Sequence, residues 1–113
     1  MNVSSNIRES KHFSSGVNDA VILCAQKVNQ MKHWKVDELN QEEGCIVCLF
    51  TGLVNMERIV TLTKENTYAI TLMFNESASG TECVASINIP MFVVNLIGKV
   101  LAKKMLKEFM IKL

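Results

Sequence analysis

The sequence predicts an α+β fold: an antiparallel β-sheet meander of four to six strands with two helices packed on one face, in the order strand, helix, strands, helix. Three observations predict it. Between Trp34 and Ile89, apolar and polar residues alternate at the two-residue period of strands. Short polar turns at Asn40–Gly44, Glu65–Asn66 and Ser77–Gly80 interrupt that stretch, and connections this short join antiparallel neighbours. An apolar helical stripe lies on either side of it, and each must be buried against the sheet.

The elements follow in order. Residues 1–8 are expected to be disordered or extended, and 9–113 to form a single domain. Glu9–Phe13 reads as a short edge strand. Ser14, Ser15 and Gly16 offer a cap for a helix from about Val17 to Lys32. Its stripe of Val17, Val21, Cys24, Val28 and Met31 has the spacing of one buried helical face. Asn18, Asp19, Gln26, Asn29 and Gln30 fall on the wet side.

Trp34–Leu39 is expected to be a strand, with Trp34 and Val36 on one face. Cys45–Thr51 is a strand apolar on both faces: Ile46, Cys48 and Phe50 on one, Cys45, Val47 and Leu49 on the other. Arg58–Lys64 reads as a threonine-rich strand. Thr67–Phe74 points Tyr68, Ile70, Leu72 and Phe74 inward. Thr81–Ile89 points Cys83, Ala85, Ile87 and Ile89 inward, with Val84 outward. Pro90 suits a first helical turn. The spacing then predicts one helix to Leu113, about 36 Å long at 1.5 Å per residue. That outruns a strand of about seven residues, roughly 23 Å. Met105, Leu106, Phe109, Met110 and Leu113 are therefore expected to overhang the sheet and need a cover.

Composition narrows the function. Of 113 residues, 49% are hydrophobic and 20% charged, which favours a packed core over disorder. A net charge of +1 gives no basic field to attract nucleic acid, so no nucleic-acid partner is expected. The apolar run Ile89–Ala102 is broken by Asn95 and Lys99, and Met1–Ser10 contains no apolar leader. A membrane span is not expected, and the cytoplasm is the expected location. Cys24, Cys45, Cys48 and Cys83 sit among apolar neighbours, as buried thiols in a reducing compartment do.

Reactive constellations are sparse. Cys45-Ile46-Val47-Cys48 has the spacing of a metal or redox motif, but on a strand its two sulfurs point to opposite faces. His12 and His33 each follow a lysine and lie near a predicted strand end, and a catalytic base needs a nucleophile and an orienting carboxylate in reach. The acidic residues beside His33 (Asp37, Glu38, Glu42, Glu43) fall on a strand and its hairpin tip. There is no phosphate-binding glycine loop and no nucleophile elbow. The reading is therefore no enzyme, no cofactor and no metal.

The Phe13-Ser14-Ser15 start, the His33-Trp34-Lys35-Val36 stretch, the Glu43-Gly44-Cys45-Ile46 turn, the two strands ending at Phe74 and Ile89 and the long last helix form a pattern. This pattern resembles small uncharacterised bacterial α+β domains of TATA-binding-protein-like type, and the helix-grip fold of START-like proteins. The resemblance implies one sheet gripped by its last helix. START-like domains carry two short helices after the first strand, where this chain has one. The outward sheet face here carries few basic residues, so the DNA binding of TATA-binding proteins is not implied.

The expected function is a small non-enzymatic binding or interaction module that self-associates, as a homodimer. Its interface is expected at Val47, Leu49, Met73 and Val84 on the outer sheet face, and at Phe109 and Met110 on the last helix. The alternative is a carrier or sensor of a small apolar ligand, bound between that helix and the sheet by Trp34, Tyr68, Phe74 and Phe92. Attachment to anionic membranes through the lysines of the last helix is a lesser reading.

Overall fold

The computed structural model describes residues 2–52, 62–90 and 96–113. It contains β1 (Asn2–Phe13), α1 (Val17–Gln30), β2 (Trp34–Asn40), β3 (Cys45–Phe50), β4 (Ala69–Ser77), β5 (Gly80–Pro90) and α2 (Leu96–Lys112). The strands form one open antiparallel sheet in the order β1-β5-β4-β3-β2. Among the described residues the first and second strands are thus the two edges, and α1 carries the chain from one to the other. The expected strand Arg58–Lys64 lies mostly outside the described residues; Leu62 to Lys64 are not in a strand.

The inward face follows the alternation. Ile46, Cys48, Ile70, Leu72, Phe74, Cys83, Ala85, Ile87 and Ile89 form one core with the buried stripes of both helices. α1 contributes Ala20, Val21, Cys24, Ala25 and Val28, and α2 contributes Ala102, Leu106, Phe109, Met110 and Leu113. Both stripes recur every three or four residues, as single residues or adjacent pairs (Ala20/Val21, Cys24/Ala25, Phe109/Met110), so each is one face of a helix. Burying a Leu, Ile or Phe side chain fully is worth about 1.5–3 kcal/mol, which is why these stripes dock. α1 lies over β2, β3 and β4, and α2 over β1 and β5. Two lysines fasten the end of α2. Lys27 Nζ donates to the main-chain oxygen of Leu113 at 2.6 Å, and Lys11 Nζ to that of Met110 at 3.4 Å. Cations there offset the negative end of the helix dipole.

Several expectations change. β1 begins at Asn2, pairing Asn2 with Pro90 and Val3 with Ile89, so the strand starts well before the expected Glu9. Three residues of β1 (5–7) then face the single Ile87, and the regular register resumes from Arg8 with Ser86 to Phe13 with Thr81. Pro90 closes β5 rather than opening a helix. A proline is tolerated at a strand terminus because few ladder bonds are lost there. With α2 described from Leu96, its 17 residues span about 25 Å, shorter than the 11 residues of β5 at about 36 Å. Leu106, Phe109, Met110 and Leu113 are consequently in the core and do not overhang.

Neither serine caps α1. Gly16 is the N-cap, with no side-chain hydrogen bond, and the Ser15 carbonyl accepts from buried Thr81 Oγ1 at 2.8 Å. In β2 a one-residue bulge at Asp37 shifts the register: Val36 pairs with Cys48, but Glu38 pairs with Val47. Leu39 is thereby turned to the face of Ile46.

Candidate functional site

Four aromatic residues, Trp34, Phe50, Tyr68 and Phe109, gather at one end of the core. Trp34 opens β2 and pairs across the ladder with Phe50, which closes β3. Their rings are 5.3 Å apart, and Phe109 from α2 meets Trp34 edge-on at 5.1 Å. Phe50 also meets Tyr68 edge-on at 6.2 Å and His33 at 6.0 Å. These separations are those of favourable aromatic pairs. Burial pushes the Tyr68 phenol up from its ordinary value of 10.0. A cleft of about 100 Å³ adjoins this cluster, walled by Met31, Trp34, Phe50, Met105 and Phe109, with Lys32 and Lys112 at its rim. Ligand pockets are usually 300–1,000 Å³. Of the four expected ligand residues, Trp34 and Tyr68 are brought together through Phe50, which the sequence reading did not choose. Phe74 lies apart, against Phe13 at 6.4 Å. Phe92 lies outside the described residues. Among the described residues, Phe74 does not join Trp34 and Tyr68.

The cysteines are free thiols. Cys45 pairs with exposed Met73 on the outer face and Cys48 with buried Ile70 on the inner, so the C-x-x-C spacing is split by the sheet. Burial raises every thiol above the ordinary 9.0: Cys24 to about 11, Cys83 to about 12, Cys48 further still, and Cys45 more modestly. Such thiols stay protonated and are poor nucleophiles and ligands. Among the described residues, no group of three or more His, Cys, Asp and Glu is placed to hold a metal ion.

One arrangement was not read in the sequence. Ser79 Oγ lies 3.3 Å from His12 Nε2, and Glu82 lies 3.8 Å from His12 Nδ1. The order is that of a nucleophile, a base and an orienting acid. However, the carboxylate is beyond hydrogen-bond reach, and both ring and carboxylate are nearly half exposed. Nothing around them excludes water, as stabilising a charged intermediate requires. An open bay of about 730 Å³ lies at the start of α1, lined by Gly16, Asp19, Glu42, Glu76 and Ser77. There the helix N-terminus favours an anion and the three carboxylates oppose one.

The surfaces are more informative. On the outer sheet face Val47 and Leu49 are closed over, at 7% and 0% exposure, in a second cluster with Ala69, against which Leu62 and Cys45 pack. The expected open patch there is thus reduced: Met73 is 42% exposed, and Val84 is half-buried beside it in the ladder. Phe109 and Met110, expected at an interface, are core residues. Among the described side chains of α2, the large exposed apolar ones are instead Val100, Leu101 and Ile111, at 64%, 45% and 81%. Val100, Lys104, Lys107 and Ile111, spaced four, three and four, form one stripe. Its end borders an open groove of about 330 Å³ against β1, lined by Glu9, Ser10, Lys11, Lys107, Met110 and Ile111. Among the described residues, no helix is long and apolar enough to cross a membrane.

No protein-family model matches the chain, and no curated protein matches it. Among solved structures, it is similar to a Rhodobacter sphaeroides protein determined as a structural-genomics target. The two share 12% identity over 92% of this chain and 90% of that one, with a TM-score of 0.37.

Proposed function

We propose that this chain is a small non-enzymatic binding module that self-associates, and that it does so along the end of α2 rather than across the outer sheet face. One observation carries the reading: Ile111, 81% exposed, stands on a helix whose other face is fully committed to the core. A large aliphatic side chain left this open, bordering a groove and in line with Val100, is what an interface leaves on a separated subunit. The closure of Val47 and Leu49 supports moving the contact away from the outer face. Free, high-pKa thiols support a reducing compartment such as the cytoplasm. The strand order, with helices after β1 and before the chain's last residue, supports the helix-grip or TATA-binding-protein-like kinship.

Sedimentation equilibrium tests this reading. The expected mass rises with concentration from 12.7 kDa toward twice that value. Ile111→Glu is expected to hold it at the monomer with unchanged circular dichroism, whereas Met73→Glu leaves the rise in place. A wild-type mass constant at the monomer value sinks the proposal.

A second reading keeps the ligand carrier, favoured by the cleft beside Trp34. At about 100 Å³ the cleft takes no more than roughly one ring, since a cavity of about 150 Å³ holds benzene.

A further inference from the structure

An edge strand offers a row of unpaired backbone groups, and proteins guard such rows with bulges and charges. Among the described residues this sheet has two edges, β1 and β2. In β2 the bulge at Asp37 divides the strand into two short registers, Trp34–Val36 and Glu38–Asn40. In β1 the irregularity lies at 5–7, which leaves Arg8–Phe13 as one uninterrupted run. β1 is therefore the edge with a straight stretch to offer. Its guards are the charges Arg8, Glu9 and Lys11.

Those charges repel in some pairings and attract in one. Two copies of β1 can pair antiparallel about a two-fold axis normal to the sheet. Opposed residues must share a face, which leaves three central registers. Centred on Glu9, the axis sets that carboxylate against its own copy. Centred on Lys11, it sets two ammonium groups together. Centred on Ser10, it sets Glu9 against Lys11 of the second copy, twice over, and Arg8 against His12. Like charges directly opposed destabilise a ladder and opposite ones stabilise it. The register on Ser10 is thus selected by the sequence of β1 itself.

A second observation falls on the same point. The groove that Ile111 borders is lined by Glu9, Ser10 and Lys11. Ile111, the most exposed large apolar side chain among the described residues, therefore stands beside the residue on which the charges are self-complementary. In that register each Ile111 approaches its copy across the axis.

We infer that two copies of this chain join through the β1 edges, in an antiparallel register centred on Ser10, with Ile111 of each copy covered at the seam. The inference rests on the proposed self-association and specifies its geometry. It makes a ten-stranded sheet from two sheets of five, with all four helices on one side. The Lys107 side chain in the same groove supplies a further cation near Glu9.

The test is charge reversal in the full chain, read by sedimentation equilibrium, with melting temperature as the folding control. Glu9→Lys and Lys11→Glu should each weaken association about tenfold or more, since each turns two attractive cross-strand pairs repulsive. The double variant Glu9→Lys/Lys11→Glu restores complementarity and should return the affinity to within about threefold of wild type. Lys11 also holds the Met110 carbonyl, so a purely structural role would leave the double variant as weak as Lys11→Glu. That result overturns the seam. Association insensitive to either single reversal also overturns the seam while leaving self-association standing. A wild-type chain monomeric up to about 1 mM, the weak end of measurable contacts, overturns both.

Discussion

Lys27 and Leu113 are joined across 86 positions of sequence by a 2.6 Å hydrogen bond from the ammonium to the main-chain oxygen. The bond ties the last turn of α1 to the end of α2, where Lys11 also donates to the Met110 carbonyl. Ile111, 81% exposed, lies between those two anchored positions.

Removing that tie should loosen the end of α2. Lys27→Met keeps the apolar stem but loses a charge-assisted bond and a cation at a helix C-terminus. A loss of about 1–2 kcal/mol in urea unfolding is expected, smaller at high salt.

Gly80 should not accept a side chain. Its φ is +146°, and a Cβ there would run into the Phe13 carbonyl oxygen. The clash is with backbone, which has no rotamer to yield. Gly80→Ala is expected to cost more than about 2 kcal/mol. Gly16→Ala, where nothing lies within 4 Å, should stay within about 0.5 kcal/mol in the same unfolding assay.

The buried thiols give stability a defined pH dependence. Unfolded, they titrate near 9.0; folded, Cys24 and Cys83 hold their protons to about 11 and 12. Above pH 9 the native state therefore binds more protons than the unfolded state, and stability falls as pH rises. Their stabilisation is complete below pH 9 and declines by about 1.4 kcal/mol per pH unit for each thiol above it. Urea melts at pH 8 and 10 should show the drop, and Cys83→Ala should make it shallower.

Phe109 should matter more than its single contact suggests. It is buried, and it supports the only tryptophan edge-on. Phe109→Ala is expected to cost about 3–5 kcal/mol and to shift Trp34 emission to the red as water enters the cleft. An unshifted spectrum would separate Trp34 from α2.

Much of this fold was legible because β4 and β5 alternate cleanly and pack one face on helices. Ile70, Leu72, Ala85 and Ile87 could be assigned inward from period alone. Period could not show that Val47 and Leu49 would be covered. The cover includes Leu62, distant in sequence, yet there was a signal: β3 is apolar on both faces, as strands buried on both faces are. The length of β1 was hidden because Asn2 to Ser5 carries little apolar pattern and owes its strand conformation to pairing with β5. The charges of β1 were visible from the start. Their self-complementarity emerged only once β1 was known to be an edge.

Amide hydrogen exchange of β1 at low and high protein concentration tests the central claim most directly. Protection within Arg8–Phe13 should rise with concentration, because the free edge gains a ladder partner, while the β2 edge stays unchanged. Equal exchange of Arg8–Phe13 at both concentrations, in a sample whose mass doubles, would contradict it.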